Sequence, residues 1–263
     1  MNLPLDEFIQ KTISLFEAEK GIKKMWRQPL VAALSAINPL FSKLKETAAD
    51  DHFLPEDILP GAKSIVVFFI PFETGIIRSN IKGEAASAEW ARAYILTNEL
   101  IVYINEVIEN EMNQNGYRVG KLAPTHNFDE KTLISRWSHR HIAWMAGLGT
   151  FGINNMLITK RGCCGRLGSF VTDAESRELG LSEESLGVPL AEKCLFKING
   201  SCGVCQKKCP VKAYEESGNF NRHACYKVCL KNAALYKETI GFADVCGKCL
   251  VGLPCSSKEP YIQ

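Results

Sequence analysis

Nine of the eleven cysteines in this 263-residue chain lie beyond residue 193, two pairs of them spaced Cys-x2-Cys, at Cys202/Cys205 and Cys246/Cys249. Such a density would mean disulfides in a small secreted domain. Here 46% of the residues are hydrophobic, enough for a substantial core, so the paired thiols read as metal ligands in a reducing compartment. The opening stretch MNLPLDEFIQKTISLF carries acids where a secretory leader needs basic residues, and no apolar run reaches the length of a membrane span. A cytoplasmic protein with no membrane segment is expected. The formal net charge of +2 gives no electrostatic footprint for nucleic acid.

The run Cys202-Gly203-Val204-Cys205-Gln206-Lys207-Lys208-Cys209-Pro210 reproduces the last three cysteines and the proline of the bacterial-ferredoxin pattern Cys-x2-Cys-x2-Cys-x3-Cys-Pro. Cys194 supplies the missing first cysteine from further upstream. A second set follows, in Cys225, Cys229, Cys246, Cys249 and Cys255. In paired 4Fe-4S proteins the cysteine before the proline serves the other cluster. That crossing assigns Cys194, Cys202, Cys205 and Cys255 to one 4Fe-4S cluster and Cys209, Cys225, Cys246 and Cys249 to the other. Cys229 is the rival of Cys225, because the two share one face of a short helix. Zinc knuckles with four thiolates are the alternative metal reading. Two exposed clusters would also suit an anaerobic setting.

Along the rest of the chain, residues 1–50 read as an N-terminal helical segment of two or three short helices interrupted at Pro29 and Pro39. Residues 51–190 form a core. In it Ser64–Ile70 is a buried central strand, Ser87–Asn113 one amphipathic helix stopped near Gly116, and Ser138–Ala146 a shorter helix ended by Gly147. Met156–Thr159 and Leu167–Thr172 read as strands paired around the turn Arg161–Gly165. A polar connector at 174–190 leads to the cysteine module at 191–263.

The core resembles the epoxyqueuosine reductases, which belong with the corrinoid-dependent reductive dehalogenases. The resemblance spans roughly residues 50–255. It rests on Leu59-Pro60-Gly61-Ala62-Lys63-Ser64, on Ala146-Gly147-Leu148-Gly149-Thr150-Phe151-Gly152-Ile153-Asn154-Asn155-Met156-Leu157-Ile158, on Leu167-Gly168-Ser169-Phe170-Val171-Thr172-Asp173, and on the double cysteine set. It implies an α+β fold, with a nitroreductase-like core that binds cobalamin base-off and a ferredoxin-like module that feeds electrons to cobalt. Gly147, Gly149 and Gly152 would let backbone approach a flat macrocycle, and Asn154 and Asn155 would bond its amide rim. The same glycines also suit a helix cap and a tight turn without any ligand. The string follows a helix and precedes a strand, so it is not a dinucleotide fingerprint.

The aspartate that this family uses as its acid falls at Leu133 here, which leaves Asp129, or Glu130, as the nearest carboxylate. His139 and His141 are the other candidates for proton donation or cobalt ligation; either could equally be a satisfied structural histidine. These features predict an iron–sulfur oxidoreductase fed by an external ferredoxin or flavodoxin. Its acceptor would be a small molecule or nucleoside, or the corrinoid of a partner protein. A flavin in place of cobalamin, or a non-catalytic electron carrier, are the alternatives.

Overall fold

The computed structural model describes residues 4–181, 190–214 and 219–261. Its centre is a four-stranded antiparallel sheet ordered β1 (Leu30–Ser35), β2 (Ser64–Pro71), β6 (Gly165–Thr172), β3 (Val119–Lys121). All of β2 is buried, as its unbroken apolar run requires of a strand covered on both faces. Alternate residues then serve two different cores. Val66, Phe68 and Ile70 pack with α1 (Leu5–Glu19) and α5 (Ala88–Gln114), while Ile65 and Val67 pack with α2 (Leu40–Thr47) and α6 (His139–Met145). The architecture is three layers, helix–sheet–helix.

Helix α5 starts where the Ser87 hydroxyl accepts the Trp90 N–H at 3.1 Å, and it stops before Gly116 at φ +82°. It lies directly against the sheet at Gly168, where an added Cβ would sit 2.5 Å from the Phe68 ring and 2.8 Å from Ile101. Short helices α3 (Pro55–Ile58) and α4 (Thr74–Ser79) flank β2, and β4 (Gly149–Phe151) pairs with β5 (Leu157–Thr159) in a separate two-stranded sheet. The cysteine-rich part adds α7 (Leu195–Asn199), α8 (Val204–Lys207) and α9 (Arg222–Tyr236).

Two elements differ from the sequence reading. Residues 30–35 are not helical: Leu-Val-Ala-Ala-Leu-Ser becomes an edge strand because β2 offers it a full antiparallel register, from Leu30 opposite Phe69 to Ser35 opposite Ser64. The segments 156–159 and 167–172 do not pair with each other either. The first pairs with β4 and the second with β2 and β3, because the turn between them is drawn off toward residues 255–256: Cys163 N donates to Cys255 O (2.9 Å) and Cys164 N to Ser256 O (3.1 Å). Residues 182–189 of the expected 174–190 connector lie outside the described residues. Among the described residues no helix is long and apolar enough to cross a membrane.

Candidate functional site

Cys194 caps α7, Cys205 lies in α8, and together with Cys202 and Cys255 they border one small apolar hollow of about 20 Å³, also lined by Gly152, Asn154 and Phe196. Burial pushes the Cys205 thiol up to about 11, and Cys255, Cys194 and Cys202 push the same way. The second group is made of Cys209, Cys225 on α9, Cys246 and Cys249. Burial pushes Cys249 up to about 12, reinforced by Cys225, Cys246 and Cys209. Cys229 also lies near Cys225 and Cys246, so five thiols gather in this second region. Clustered thiols become thiolates together most readily around a cationic group.

Cys229 stands one helical turn beyond Cys225 and is hydrogen-bonded to it. Its own ionisation is strongly suppressed by that bond and by burial, while the Cys225 thiol is lowered to about 7. The two thiols lie close enough to share one proton, so both remain candidates for the ligand at this place. Among the described residues no three His, Cys, Asp or Glu side chains converge as closely as a single metal ion requires. The buried pair Cys163 and Cys164 serves the strap to residues 250–256, with Cys164 Sγ 3.1 Å from Leu250 O.

The second group of thiols is enclosed by polar donors. Lys248, 4% exposed between Cys246 and Cys249, gives its ammonium to Asn80 O and Lys82 O, both at 2.8 Å, and Asn80 Nδ2 reaches Cys246 O at 2.9 Å. The Trp90 indole N–H is buried without a partner, and its ring edge presses on Gly247, where a Cβ would lie 2.4 Å from ring atoms. Only glycine, at φ +72°, fits there. Tyr214 bonds Cys249 and donates to Asn154 O at 3.3 Å; its phenol is held strongly protonated by burial and by the surrounding thiols. An orphaned donor, a buried cation and a phenol around four thiols suit a sulfur-rich anionic group, so the residues present fit a cluster.

The glycine block does backbone work. Gly147 (φ +75°) ends α6, and a Cβ on Gly149 would meet Ile158 O at 2.4 Å, so that glycine permits the β4–β5 pairing. Gly152 and Asn154 reach the first hollow. Asn154 is buried and donates to Cys249 O at 2.9 Å, tying the core to the second group of thiols. Asn155 is exposed at φ +58°, and its carbonyl accepts from Arg140 Nη1 at 2.6 Å.

His139 has both ring nitrogens engaged. Trp137 Nε1 donates to Ser169 Oγ (3.0 Å), which bonds His139 Nδ1 (2.8 Å), and Nε2 faces Ala123 O (3.0 Å), fixing Nε2 as the protonated nitrogen. Burial lowers its ionisation to about 4, so the ring is neutral near pH 7. His141 bonds Ser138 Oγ at 2.7 Å through Nδ1, packs on Phe151, and is likewise lowered to about 4 by burial. Asp129 is exposed and organises its own loop, accepting from Thr132 N (2.7 Å), Thr132 Oγ1 (2.9 Å) and Lys131 N (3.1 Å); the Thr132 bonds hold its carboxyl below the usual range.

A further constellation lies between α5, residues 123–128 and the cysteine module. Asp244 accepts from Tyr94 OH at 2.6 Å and bonds His126 Nε2 at 3.1 Å, and the Arg166 guanidinium sits 4.5 Å from the Tyr94 ring centroid. Burial pushes Tyr94 up to about 12. Arg166 Nε is buried without a partner. These residues are up to 150 positions apart, and no local spacing announces them.

No protein-family model matches the chain, and no curated protein matches it. Among solved structures, an epoxyqueuosine reductase from Streptococcus thermophilus is similar over 97% of this chain and 68% of its own, with 16% identity and a TM-score of 0.52. A catabolic reductive dehalogenase in complex with 3-bromo-4-hydroxybenzoic acid is similar over 88% of this chain but 30% of its own, with 17% identity and a TM-score of 0.52. At such identities the likeness is one of fold.

Proposed function

We propose that the chain is an iron–sulfur oxidoreductase that moves electrons through two 4Fe-4S clusters to a corrinoid bound against the core, reducing a small molecule or nucleoside, or the corrinoid of a partner. The observation that supports this reading is the clustering of thiols: Cys194, Cys202, Cys205 and Cys255 border one hollow, while Cys225, Cys246 and Cys209 lie near Cys249. The fold shared with an epoxyqueuosine reductase and a reductive dehalogenase supports the same reading.

When bound, the clusters supply one-electron transfer and the corrinoid a reducible cobalt. The chain's own residues do the rest. The eight cysteines hold the clusters, Lys248 sets a positive charge beside the second, and Gly247 keeps the Trp90 indole close to it. Tyr214 and Asn154 link that region to the core. On the core side Arg140 is crowded by protein yet reaches solvent beside Asn155, a placement suited to the polar rim of a macrocycle. Of the two histidines on α6, His139 has both ring nitrogens engaged, while His141 is bonded through Nδ1 and keeps Nε2 for a polar group of the cofactor or substrate.

Anaerobic purification and cofactor titration test the proposal. About eight irons and eight sulfides per chain are expected, with a visible chromophore that dithionite bleaches and a spectral change on adding cobalamin. A colourless zinc protein would end the cluster reading. Intact clusters with no cobalamin uptake would leave a simple electron carrier.

A further inference from the structure

Cys163 and Cys164 are the two cysteines that stand outside the ferredoxin-like pattern, and both are buried. They are not free in the core. Cys163 N donates to Cys255 O at 2.9 Å and Cys164 N to Ser256 O at 3.1 Å, while Gly162 lies so near the same strap that a Cβ would sit 2.5 Å from Ser256 O. This backbone pairing holds Cys163 beside Cys255, and their thiols are hydrogen-bonded. Cys164 donates instead to Leu250 O at 3.1 Å.

The two bonded thiols differ in what they face. Cys255 borders the hollow with Cys194, Cys202 and Cys205, whereas Cys163 does not line it and packs into the apolar core shared by α1 and α5. Cys163 therefore stands behind Cys255 rather than among the four. A thiol gives up its proton when it becomes a metal ligand, so iron at Cys255 leaves Cys163 as the one donor of the pair. The other acceptors within its reach are Leu250 O, at 3.8 Å, and the Cys164 sulfur. A charged sulfur is a stronger acceptor than either. We propose that Cys163 is a positioning residue of the first centre, whose S–H bonds the Cys255 sulfur and raises the reduction potential there; this rests on the cluster reading above. The bond draws charge from sulfur and so favours the reduced, more negative state, and burial keeps water from taking its place.

The test is an iron and sulfide assay of the cluster-loaded chain, followed by potentiometric titration with electron paramagnetic resonance. Cys163→Ala should keep about eight irons per chain. Its reduction equilibrium at the centre held by Cys202 and Cys255 should fall about fivefold, which is about 40 mV for a one-electron couple. The centre held by Cys246 and Cys249 should not move. Cys163→Val, larger than cysteine where alanine is smaller, should give the same drop, so that loss of the donor is separated from a change of packing. Cys163→Ser keeps a donor and should stay near the parent potential, and Cys164→Ala should move neither centre. Equal shifts in both centres, or a drop in Cys163→Ser as large as in Cys163→Ala, would overturn the bond and leave the cluster reading standing. So would a loss of about four irons in Cys163→Ala, which would make Cys163 itself a ligand. A parent chain with no bleachable chromophore sinks both.

Discussion

Cys194, Cys202, Cys205 and Cys255 border an apolar hollow that opens beside the exposed Phe196, whereas Cys209, Cys225, Cys246 and Cys249 are closed in by Lys248, Trp90, Tyr214 and Asn80. Ligand type is identical in the two regions, so any difference in behaviour comes from the surroundings. Hydrogen bonds to sulfur, local charge and solvent access set the potential of a cluster. Polar side chains crowd the second region and apolar ones line the first, so the two differ in polarity rather than in exposure. Substitutions around Trp90 should act on one centre and leave the other alone.

The largest effect tests whether there are two centres at all. Cys246→Ala should lower iron from about eight to about four per chain while a bleachable chromophore remains, and Cys202→Ala should remove the other half. Cys229→Ala should keep the full complement if Cys225 is the ligand of the adjacent pair. Iron and sulfide assays decide it. Loss of iron in Cys229→Ala with retention in Cys225→Ala would exchange their roles.

Next is Gly247→Ala. A methyl group 2.4 Å from the Trp90 ring at φ +72° combines overpacking with a left-handed backbone. A destabilisation of about 3 kcal/mol is expected in chemical denaturation. The second chromophore should be lost before the first. A neutral result would mean that Trp90 can swing away, and the enclosed character of this region would fall with it.

How much of this was legible in the sequence depends on the range of the signal. The β2 run, the α5 periodicity with Ser87 and Gly116 at its ends, and the α6 stop at Gly147 are local, and each appears where the pattern put it. Residues 30–35 were misread because the short run Leu-Val-Ala-Ala-Leu-Ser fits either helix or strand until β2 supplies its partner. At the site, Cys-x2-Cys spacing pointed to the cysteines, but not to Lys248 bonding Asn80, nor to Tyr94 meeting Asp244, because those pairs exist only once the module docks on the core. In the glycine block, Gly147 ends a helix and Gly149 permits a strand pairing, as the ligand-free reading of the string expects.

Acid separates the fold from the clusters. His139 ionises near 4 in the folded chain and near 6.5 when unfolded, so the unfolded state takes up a proton first as pH falls. Stability contributed by the neutral ring is complete above the unfolded value and is lost between about pH 6.5 and pH 4. Part of the residue is accessible, which reduces the expected loss to about 2 kcal/mol. Denaturation midpoints against pH should show this slope, and His139→Gln should flatten it. An unchanged slope in that variant would return acid lability to the cysteine centres.

The smallest effect is the sharpest test of the comparison, because it asks whether a single orphaned donor finds a sulfur. Trp90 Nε1 is buried without a protein partner beside Gly247. Trp90→Phe removes that donor and keeps most of the ring. If the indole bonds a cluster sulfur, its loss costs the reduced state about 1 kcal/mol, a drop of about 40 mV for a one-electron couple. Potentiometric titration followed by electron paramagnetic resonance should resolve two centres, with only the one held by Cys246 and Cys249 moving. Equal shifts in both would mean that Trp90 acts through packing at large, and an unmoved pair with unchanged or higher stability would leave the indole N–H unsatisfied in the loaded protein as well.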